Sequence, residues 1–342
     1  MITIASDRVA GGTRVAMKHG AGGRAMRRLI EQIFLRDAPP AAAAMDDGAV
    51  IPLAGGGSLI VTTDAHVIQP IVFPGGDIGR LAVSGTVNDL AMMGATEPLG
   101  IACAVVVEEG FAVDDLERLQ RSMADACAEA GTSIVTGDTK VMRRGELDGV
   151  VITTTGVGIT WRPVRDSGAA AGDVLIVTGT IGDHGMAVMA ARNQFQFGDT
   201  LRSDVAPLNG LVRAALAAGD VHAMKDPTRG GVASALHEIA AKSRVGIVLR
   251  EDAVPVRPGV RAAADLLGID PLFIANEGKA VLVVRSSTAD AVLAALHTHP
   301  YGKDAAIVGE CVSESPGTVA VDTGFGRRRL SEPDGELLPR IC

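Results

Sequence analysis

The sequence predicts an α/β protein composed of two domains, and three observations support this prediction. The chain has 342 residues, which is too long for one ordinary hydrophobic core. Patterns typical of strands and of helices alternate in both halves. The alternation stops at Trp161-Arg162-Pro163 and the stretch 168–172, so we expect the domains to join near residue 165. Alternation alone is also compatible with a doubly wound parallel sheet, and the pattern does not choose between these architectures.

In the first half, strands are predicted where short apolar runs end at turn residues: 58–63, 101–107, 133–136 and 150–159. Helices are predicted where apolar residues recur every three or four positions: 26–34, 78–93 and 114–130. Pro39-Pro40 ends the first helix, and Gly131 follows the third at the position where glycine commonly ends a helix.

The second half repeats this organisation. Strands are predicted near 174–177, 246–249 and 280–284. Helices are predicted at 185–192 and 231–241, and Arg229-Gly230-Gly231 opens the second of them. We therefore expect each domain to contain its own strands and helices.

Composition excludes several classes of protein. The net charge of −8 and the absence of a basic stripe argue against a nucleic-acid surface. No apolar stretch reaches the ~18–20 residues that a membrane span needs, and the N-terminus lacks the pattern of a signal peptide. The four cysteines show no C-x-x-C spacing, which favours a reducing compartment. We expect a cytoplasmic protein.

The C-terminus ends in a cysteine, Cys342, preceded by a segment rich in turn-forming residues, 331–336. Such a segment is typical of a mobile arm. An arm beginning near Thr323 would reach roughly 65 Å when fully extended. A terminal thiol on such an arm could enter an active site, although a frayed tail that happens to end in cysteine would have the same sequence.

Five acidic residues occupy positions typical of a magnesium–nucleotide site. They fall in a turn, at predicted strand ends, in a helix or in a loop: Asp47, Asp64, Asp89, Asp138 and Asp226. Carboxylate oxygens suit Mg²⁺, and phosphate oxygens complete its coordination. Each residue taken alone is better explained as a cap or a turn residue, and the nucleotide site is indicated only by the five together.

Glycine turns provide two further candidates for phosphate binding. Gly20 to Gly23 and Gly230-Gly231 each precede a predicted helix, whose N-terminus could face a phosphate. The G-x-x-x-x-G-K-[ST] and G-x-G-x-x-G signatures are absent. Either turn alone is also explained by local backbone geometry.

Several motifs together closely resemble the HypE family of hydrogenase maturation proteins, the carbamoyl dehydratases. They are 73–79 (FPGGDIG), 85–92 (GTVNDLAM), 137–140 (GDTK), 226–231 (DPTRGG), 275–279 (ANEGK) and the terminal 339–342 (PRIC). The resemblance extends from about Lys18 to Cys342, and the terminal motif is its most specific part. His237 stands where the family pattern would have asparagine, a position expected to pack or to cap.

The resemblance implies an α+β fold of the aminoimidazole ribonucleotide synthetase and selenophosphate synthetase superfamily. It implies a glycine-rich loop and helix (1–40), a domain for dimerisation and for ATP and Mg²⁺ (41–163), a second α/β domain (164–320) and a flexible tail (321–342). ATP and Mg²⁺ would lie in a cleft beside the C-terminal domain, and the protein would be a homodimer paired through its N-terminal domains.

The resemblance also implies a reaction. Cys342 would receive a carbamoyl group from HypF, and ATP-dependent dehydration would convert the thiocarboxamide to a thiocyanate. The product would supply cyanide ligands for the iron of [NiFe] hydrogenase, with the HypC–HypD complex as acceptor. Lys140 would neutralise charge on the transferred phosphate, and Glu277 would be the general base.

The remaining site residues also follow from matching positions. Asp47, Asp64, Asp89 and Asp226 would hold Mg²⁺ and phosphate, with Asp138 a weaker fifth. Asn88, Gly22 and Gly23 are expected at the nucleotide site. His19 and His66 are interpreted as packed or capping residues.

Three alternatives stay open at this stage. One is a carrier that presents a carbamoylated cysteine without hydrolysing ATP. The others are selenophosphate synthetase and thiamine monophosphate kinase, which keep the fold. No cysteine lies near the N-terminal glycine turn, where selenophosphate synthetase has its catalytic residue, and a kinase would leave Cys342 without a role.

Overall fold

Two domains, each with a mixed β-sheet, make up the protein in a computed structural model. The structure describes residues 14–20, 22–38, 44–194, 201–333 and 341. A short helix, α1 (Gly23–Leu29), continues as a π-helical turn at Ile30–Phe34 and precedes the first domain. This confirms the helix predicted at 26–34.

The first domain contains a five-stranded sheet in the order β1-β2-β7-β5-β6. Its strands are β1 (Ala49–Pro52), β2 (Ser58–His66), β5 (Pro98–Glu108), β6 (Ile134–Met142) and β7 (Val150–Thr160). A separate hairpin is formed by β3 (Val72–Phe73) and β4 (Gly76–Asp77). Within the sheet only β5 and β6 are parallel. The doubly wound parallel alternative is therefore wrong for this domain.

Helices cover only one face of this sheet. Helix α2 (Ile78–Met92) packs on β2 and β7, and α3 (Val113–Ala130) packs on α2. Residues facing the helices are buried at every second strand position, whereas the opposite face is half-buried or exposed. Gly131 adopts the left-handed conformation that ends α3, as predicted.

Two strands are longer than the sequence predicts. Strand β2 continues to His66, so Asp64 lies within it and not at its end. Strand β6 continues to Met142, so Asp138 and Lys140 lie mid-strand. Strand β6 is an edge strand with mostly exposed residues, where glycine and aspartate cost little because nothing packs on them.

The second domain contains a seven-stranded sheet in the order β14-β13-β10-β12-β8-β11-β9. Its strands are β8 (Val174–Val177), β9 (Val221–Lys225), β10 (Gly246–Arg250), β11 (Val281–Val284), β12 (Ala306–Val312), β13 (Val319–Asp322) and β14 (Arg327–Arg329). Only β10 and β13 are parallel. Its helices are α4 (Asp183–Asn193), α5 (Asn209–Ala218), α6 (Gly231–Ser243), α7 (Pro258–Leu267) and α8 (Ala289–Thr298).

The sheet extends beyond the point where the sequence placed the start of the tail. Strand β14 pairs with β13, and Leu330 is fully buried in the core of the second domain. The boundary at residue 321 is therefore corrected, because β14 and Leu330 anchor the chain up to 330. Most of the arm proper, residues 334–340, lies outside the described residues.

No helix in the described part of the chain combines the length and the apolar character required to cross a membrane.

Candidate active site in the cleft between the domains

A cleft of about 660 Å³ lies between the two domains. Strand β2 and helix α2 line it from the first domain, and the end of β9 and helix α6 line it from the second. Helix α1 closes one side through Gly22, Gly23 and Met26. The volume falls within the ~300–1,000 Å³ usual for small-molecule sites.

Four carboxylates line one part of the cleft: Asp64, Asp89, Asp226 and Glu277. Burial raises the pKa of Asp89 well above its usual value, and the nearby charge of Asp226 adds to the rise. Burial, with the charges of Asp47 and Asp64 assisting, raises the pKa of Asp226 to about 7. Thr62 Oγ1 donates a 2.7 Å hydrogen bond to Asp89 Oδ2, which fixes the orientation of that carboxylate.

Glu277 is a buried acid with an unused oxygen. Its Oε1 atom has no hydrogen-bond partner among the described residues. Burial raises the pKa of Glu277 well above its usual value, and Asp226, Asp64 and Asp204 raise it further. Arg229 acts in the opposite direction. Because burial and the neighbouring acids disfavour the charged form of Glu277, a positive charge that enters the cleft would favour its carboxylate.

The backbone around Glu277 is tightly fixed. Its N–H donates to Asp204 Oδ1 at 3.1 Å. A Cβ at Gly278 would lie 1.8 Å from the carbonyl oxygen of Asp204, so only glycine fits there. The glycine of the motif ANEGK is thus required because the backbone of Gly278 lies against that of Asp204. This contact also fixes the position of the Glu277 backbone.

Asn88 supports the site and does not line the cleft. Its side chain is fully buried and donates to the carbonyl oxygens of Ala206 and Glu277. Its Oδ1 accepts a 2.8 Å hydrogen bond from the Leu208 N–H. The structure therefore places Asn88 as a link between α2 and the backbone of Glu277, away from the position expected for direct nucleotide contact.

Two lysines that the sequence reading missed occupy the other part of the cleft. Lys225 Nζ contacts the Asp47 carboxylate, and it lies 3.2 Å from Glu238 and 3.8 Å from Asp166. Lys242 Nζ lies 2.6 Å from Asp166 Oδ2. The only sequence signal for Lys225 is that it immediately precedes Asp226 and the glycine turn that follows.

The N-terminal glycine turn lies beside the cleft with a backbone that requires glycine. Gly22 and Gly23 have φ values of 76° and 69°. A Cβ at Gly23 would lie 2.2 Å from the Pro333 carbonyl oxygen, and the Arg24 N–H donates to that oxygen at 3.1 Å. One N–H at the start of α1 is therefore occupied by the chain leading to the tail.

Gly230-Gly231, the other glycine turn, opens α6. Gly231 lies against the backbone of Leu272 and Ile274, where a Cβ would be within 2.7 Å of both carbonyl oxygens. This is the tight-turn explanation that the sequence left open, although Gly231 also lines the cleft.

Asp138 and Lys140 do not reach the cleft of their own chain. They pair with Ala104 and Val106 of β5, on the sheet face that carries no helices. Lys140 Nζ lies 2.7 Å from Asp138 Oδ2, and both side chains are about two-thirds exposed, at 67% and 64%. The hydrogen bond from Lys140 lowers the pKa of Asp138.

The histidines agree with their predicted packing roles. His66 is fully buried beside Asp64. His19 Nδ1 accepts a hydrogen bond from the Ala16 N–H. His237 is buried and its Nε2 donates to the Leu330 carbonyl, as expected for a position that packs or caps.

Cys342 lies outside the described residues, but its neighbour Ile341 is described. Ile341 is buried, only 4% exposed, in the apolar cluster of the first domain. His184 Nε2 donates a 2.7 Å hydrogen bond to the Ile341 carbonyl. Ile341 is thus held inside the protein.

Among the described residues, no three acidic, cysteine or histidine side chains are grouped closely enough to hold a metal ion by themselves. The acids at the cleft are instead spread along its wall. This arrangement suits Mg²⁺ only if phosphate oxygens supply several ligands, which is how Mg²⁺ is usually held at nucleotide sites.

Comparison with known families defines the class of protein. The family described as AIR synthase related protein matches twice, its N-terminal domain at residues 45–160 and its C-terminal domain at 170–322. The two matches cover more than half of the chain. The chain therefore has the fold of an AIR synthase related protein, which confirms the predicted fold class.

Individual relatives narrow the class to one family. Carbamoyl dehydratase HypE of Rhizobium leguminosarum bv. viciae is 49% identical over 337 residues, covering 96% of this chain and 95% of the relative. A crystal structure of a HypE–HypF complex matches with a TM-score of 0.84 and 45% identity, covering 89% of this chain and 99% of that one. HypE in complex with ATP matches with a TM-score of 0.81 and 43% identity, covering 94% and 98%. The protein belongs to the HypE family, and the resemblance seen in its motifs is confirmed.

Proposed function

We propose that this protein is an ATP-dependent carbamoyl dehydratase of [NiFe] hydrogenase maturation that acts on its own C-terminal cysteine. The observation that carries the proposal is the cleft, where buried carboxylates and Glu277 face a space large enough for a nucleotide. Membership of the HypE family supports the same reaction. The burial of Ile341 supports it too, because Cys342 is covalently attached to that residue.

The reaction begins with a poor leaving group. The Cys342 thiocarboxamide, S–C(=O)–NH₂, must lose its oxygen to become S–C≡N. Transfer of the γ-phosphoryl group of ATP to that oxygen, with loss of one N–H proton, gives an imidate phosphate and ADP. Loss of the second proton and breakage of the C–O bond then give the thiocyanate and inorganic phosphate. Positioning and charge neutralisation contribute most to such phosphoryl transfers.

Glu277 is suited to accept the nitrogen protons. Its carboxyl has one unpartnered oxygen and a backbone locked against Asp204. The raised pKa of Glu277 gives its carboxylate more basic strength than an exposed glutamate has. General-base help of this kind typically contributes ~10²–10⁴-fold in rate.

Mg²⁺ fits the acidic part of the cleft. Asp64, Asp89 and Asp226 would hold it together with phosphate oxygens. Asp47, whose charge acts on both Asp89 and Asp226 although it contacts Lys225, would join them from the border of the two parts. The raised pKa values of Asp89 and Asp226 reflect burial and crowding of negative charge, which a divalent cation would relieve. Mg²⁺ supplies charge neutralisation on the phosphates when bound.

A homodimer would give Asp138 and Lys140 a role. The sheet face that bears them also carries Val61, Val151 and Val157, and no described helix covers it. A second copy packed on this face would bury apolar surface and bring Lys140 to an interface. There Lys140 could neutralise phosphate charge in the site of the partner subunit.

The same proposal identifies the partners. A HypF protein would supply the carbamoyl group, as the complex of a related HypE with HypF suggests. A HypC–HypD complex would accept the cyanide, and the reaction would take place in the cytoplasm, where thiols are kept reduced.

The test is the intact mass of the protein after incubation with HypF, carbamoyl phosphate and Mg-ATP. A gain of about 43 Da that falls to about 25 Da is expected from carbamoylation and then loss of water, as for covalent catalysis in two steps. Peptide mapping should place the change on Cys342, and Cys342→Ser should show neither mass.

The other two outcomes of the mass measurement would each indicate a different function. A stable gain of about 43 Da without the second step would indicate a carbamoyl carrier, since only the acceptor step of covalent catalysis would have occurred. No adduct at all would return the proposal to other ATP-dependent enzymes of the fold.

A further inference from the structure

His184 is a buried histidine with both ring nitrogens in use. It lies in the first turn of α4, with no exposed surface. Nδ1 lies 2.8 Å from Ser203 Oγ, and Nε2 lies 2.7 Å from the Ile341 carbonyl oxygen. A carbonyl only accepts, so Nε2 carries the proton. A neutral ring then leaves Nδ1 to accept from the Ser203 hydroxyl.

Neutrality of this ring follows from its surroundings. Burial lowers the pKa of His184, while the Ile341 carbonyl and the charge of Asp204 act in the opposite direction. The Phe73 ring packs against it in a T-shaped arrangement, with ring centroids 5.3 Å apart. The imidazole is therefore held in one tautomer and one orientation before any substrate arrives.

The Ile341 side chain is held as well, by apolar contacts in the first domain. It belongs to the apolar cluster that includes Phe73, Val188, Val205 and Ala275. A buried isoleucine contributes about 1.5–3 kcal/mol relative to an exposed one. The side chain thus supplies affinity, whereas the hydrogen bond from His184 fixes where the backbone of Ile341 lies.

This docking site is connected to Glu277 by two short routes. In the first, the Gly185 N–H donates to the Ala275 carbonyl at 3.1 Å, and Glu277 lies only two residues beyond Ala275, at most ~7 Å along the chain. In the second, Ser203 is followed by Asp204, whose carboxylate accepts from the Glu277 N–H. The residue preceding Cys342 is therefore held by the same framework that fixes Glu277.

We propose that His184 is a positioning residue for the dehydration, and that its hydrogen bond to the Ile341 carbonyl holds the C-terminal thiol carrier in register with Glu277. This proposal rests on the proposed function for its chemistry, but the docking itself does not. His184 is not among the residues that line the cleft, so its contribution is to the geometry of the tail. Ser203 acts one step further back, by fixing the imidazole tautomer.

Two substitutions separate the hydrogen bond from the shape of the side chain. His184→Gln keeps an N–H near the position of Nε2, whereas His184→Leu removes it and keeps an apolar side chain. Urea denaturation and ATP affinity are measured for both, to verify that the fold and the cleft are intact. Ser203→Ala provides a milder third variant, in which the ring keeps its place but loses the partner of Nδ1.

The first readout needs no partner protein. The full-length chain is treated with iodoacetamide, and alkylation of Cys342 is followed by mass spectrometry. The other three cysteines, Cys103, Cys127 and Cys311, are buried and serve as internal references. His184→Leu should alkylate at Cys342 roughly 5–10 times faster than the wild type, since a lost buried hydrogen bond shifts docking by that factor. His184→Gln should restore most of the protection.

The second readout uses HypF, carbamoyl phosphate and Mg-ATP. In His184→Leu, carbamoylation should proceed at the wild-type rate while the dehydration slows at least tenfold, so the carbamoyl adduct accumulates. Equal alkylation rates in the wild type and His184→Leu would overturn the proposal, as would a His184→Gln variant as impaired as His184→Leu. If wild-type protein gives no adduct, the proposed function fails, while the alkylation rates still decide the docking.

Discussion

The two ends of the cleft hold similar acids in opposite electrostatic situations. At one end, Asp47, Asp166 and Glu238 surround the ammonium group of Lys225, with Lys242 close by. At the other end, Asp226 and Glu277 are buried and Asp89 is half-buried, and no lysine contacts their carboxylates within the described residues. The first end is internally neutralised, whereas the second has pKa values raised by burial and mutual repulsion.

This difference separates the acids of the cleft into a group that stabilises the fold and a group that is available for a ligand. A neutralised cluster stabilises the fold and joins the domains, because Lys242 also donates to the Met45 carbonyl of the first domain. A cluster whose acids are less completely neutralised costs stability until a ligand supplies positive charge. Adjacent residues, Lys225 and Asp226, belong to the two different groups, so single substitutions can test the distinction.

The largest effect is expected at Glu277. Glu277→Gln should lower the rate of the dehydration by ~10²–10⁴, because an amide cannot accept the nitrogen proton. The carbamoyl adduct should form normally and accumulate, as measured by intact mass. Glu238→Gln, at the neutralised end, is the matched comparison and should slow the reaction less than tenfold. Equal effects of the two substitutions would contradict the division of the cleft.

The next largest effect is expected at Lys225. Lys225→Met should destabilise the protein by about 3–5 kcal/mol, because it leaves the buried Asp166 and the partly buried Asp47 and Glu238 without their shared cation. Urea denaturation without nucleotide measures this loss. A change below about 1 kcal/mol would show that water already screens the cluster and that the surface value for an ion pair applies.

Substitution of the neighbouring residue, Asp226, should change the free energy of unfolding in the opposite direction. Asp226→Asn should stabilise the nucleotide-free protein by ~1–3 kcal/mol at pH 8, since it removes a charge that burial disfavours. The folded pKa of Asp226, about 7, lies above its unfolded value of 3.8. The carboxylate therefore costs stability progressively as pH rises from about 4 to 7, and the cost is constant above that.

Denaturation at several pH values checks that sign. The advantage of Asp226→Asn over the wild type should be near zero below about pH 4, grow between pH 4 and 7, and be largest at pH 8. The same variant should bind Mg-ATP more weakly. An advantage that shrinks as pH rises would show that Asp226 is already neutralised in the free protein.

The smallest effect on stability is expected at Lys140. Lys140→Ala should change the free energy of unfolding by less than ~0.5 kcal/mol, because the side chain is exposed. Dehydration should nevertheless slow if the lysine acts in the partner subunit. Mixing Lys140→Ala with Glu277→Gln protein should then restore about a quarter of the wild-type activity, since mixed dimers contain one complete site. No recovery after subunit exchange would place Lys140 outside the site.

The sequence predicted the fold through its local signals and through the family motifs. Asp64, Asp89, Asp226 and Glu277 could be assigned to one site because the motifs identified a cleft that brings them together. Strand ends at Asp64 and Asp138 were predicted wrongly, because glycine and aspartate usually end strands and an exposed edge tolerates both.

Other features depend on long-range packing that no local pattern records. Lys225 and Lys242 gain their importance from acids far away in the chain. His184 gains its importance from residue 341, which is separated from it by 157 positions. Asn88 was correctly singled out by its motif, but its hydrogen bonds to two distant backbone carbonyls could not be anticipated from that motif.

The bond between the Arg24 N–H and the Pro333 carbonyl has a kinetic consequence. It attaches the chain at residue 333, so nine residues, 334–342, connect this point to the thiol. Their fully extended length is roughly 30 Å. A substrate on so short a tether experiences a local concentration in the millimolar range. The enzyme therefore needs little intrinsic affinity for its carbamoylated end, and a free peptide of the same sequence would compete only at similar concentrations. Doubling the number of residues in this tether would lower the local concentration of the thiol about threefold. The length of the tether therefore helps to set the rate at which the thiol meets the cleft.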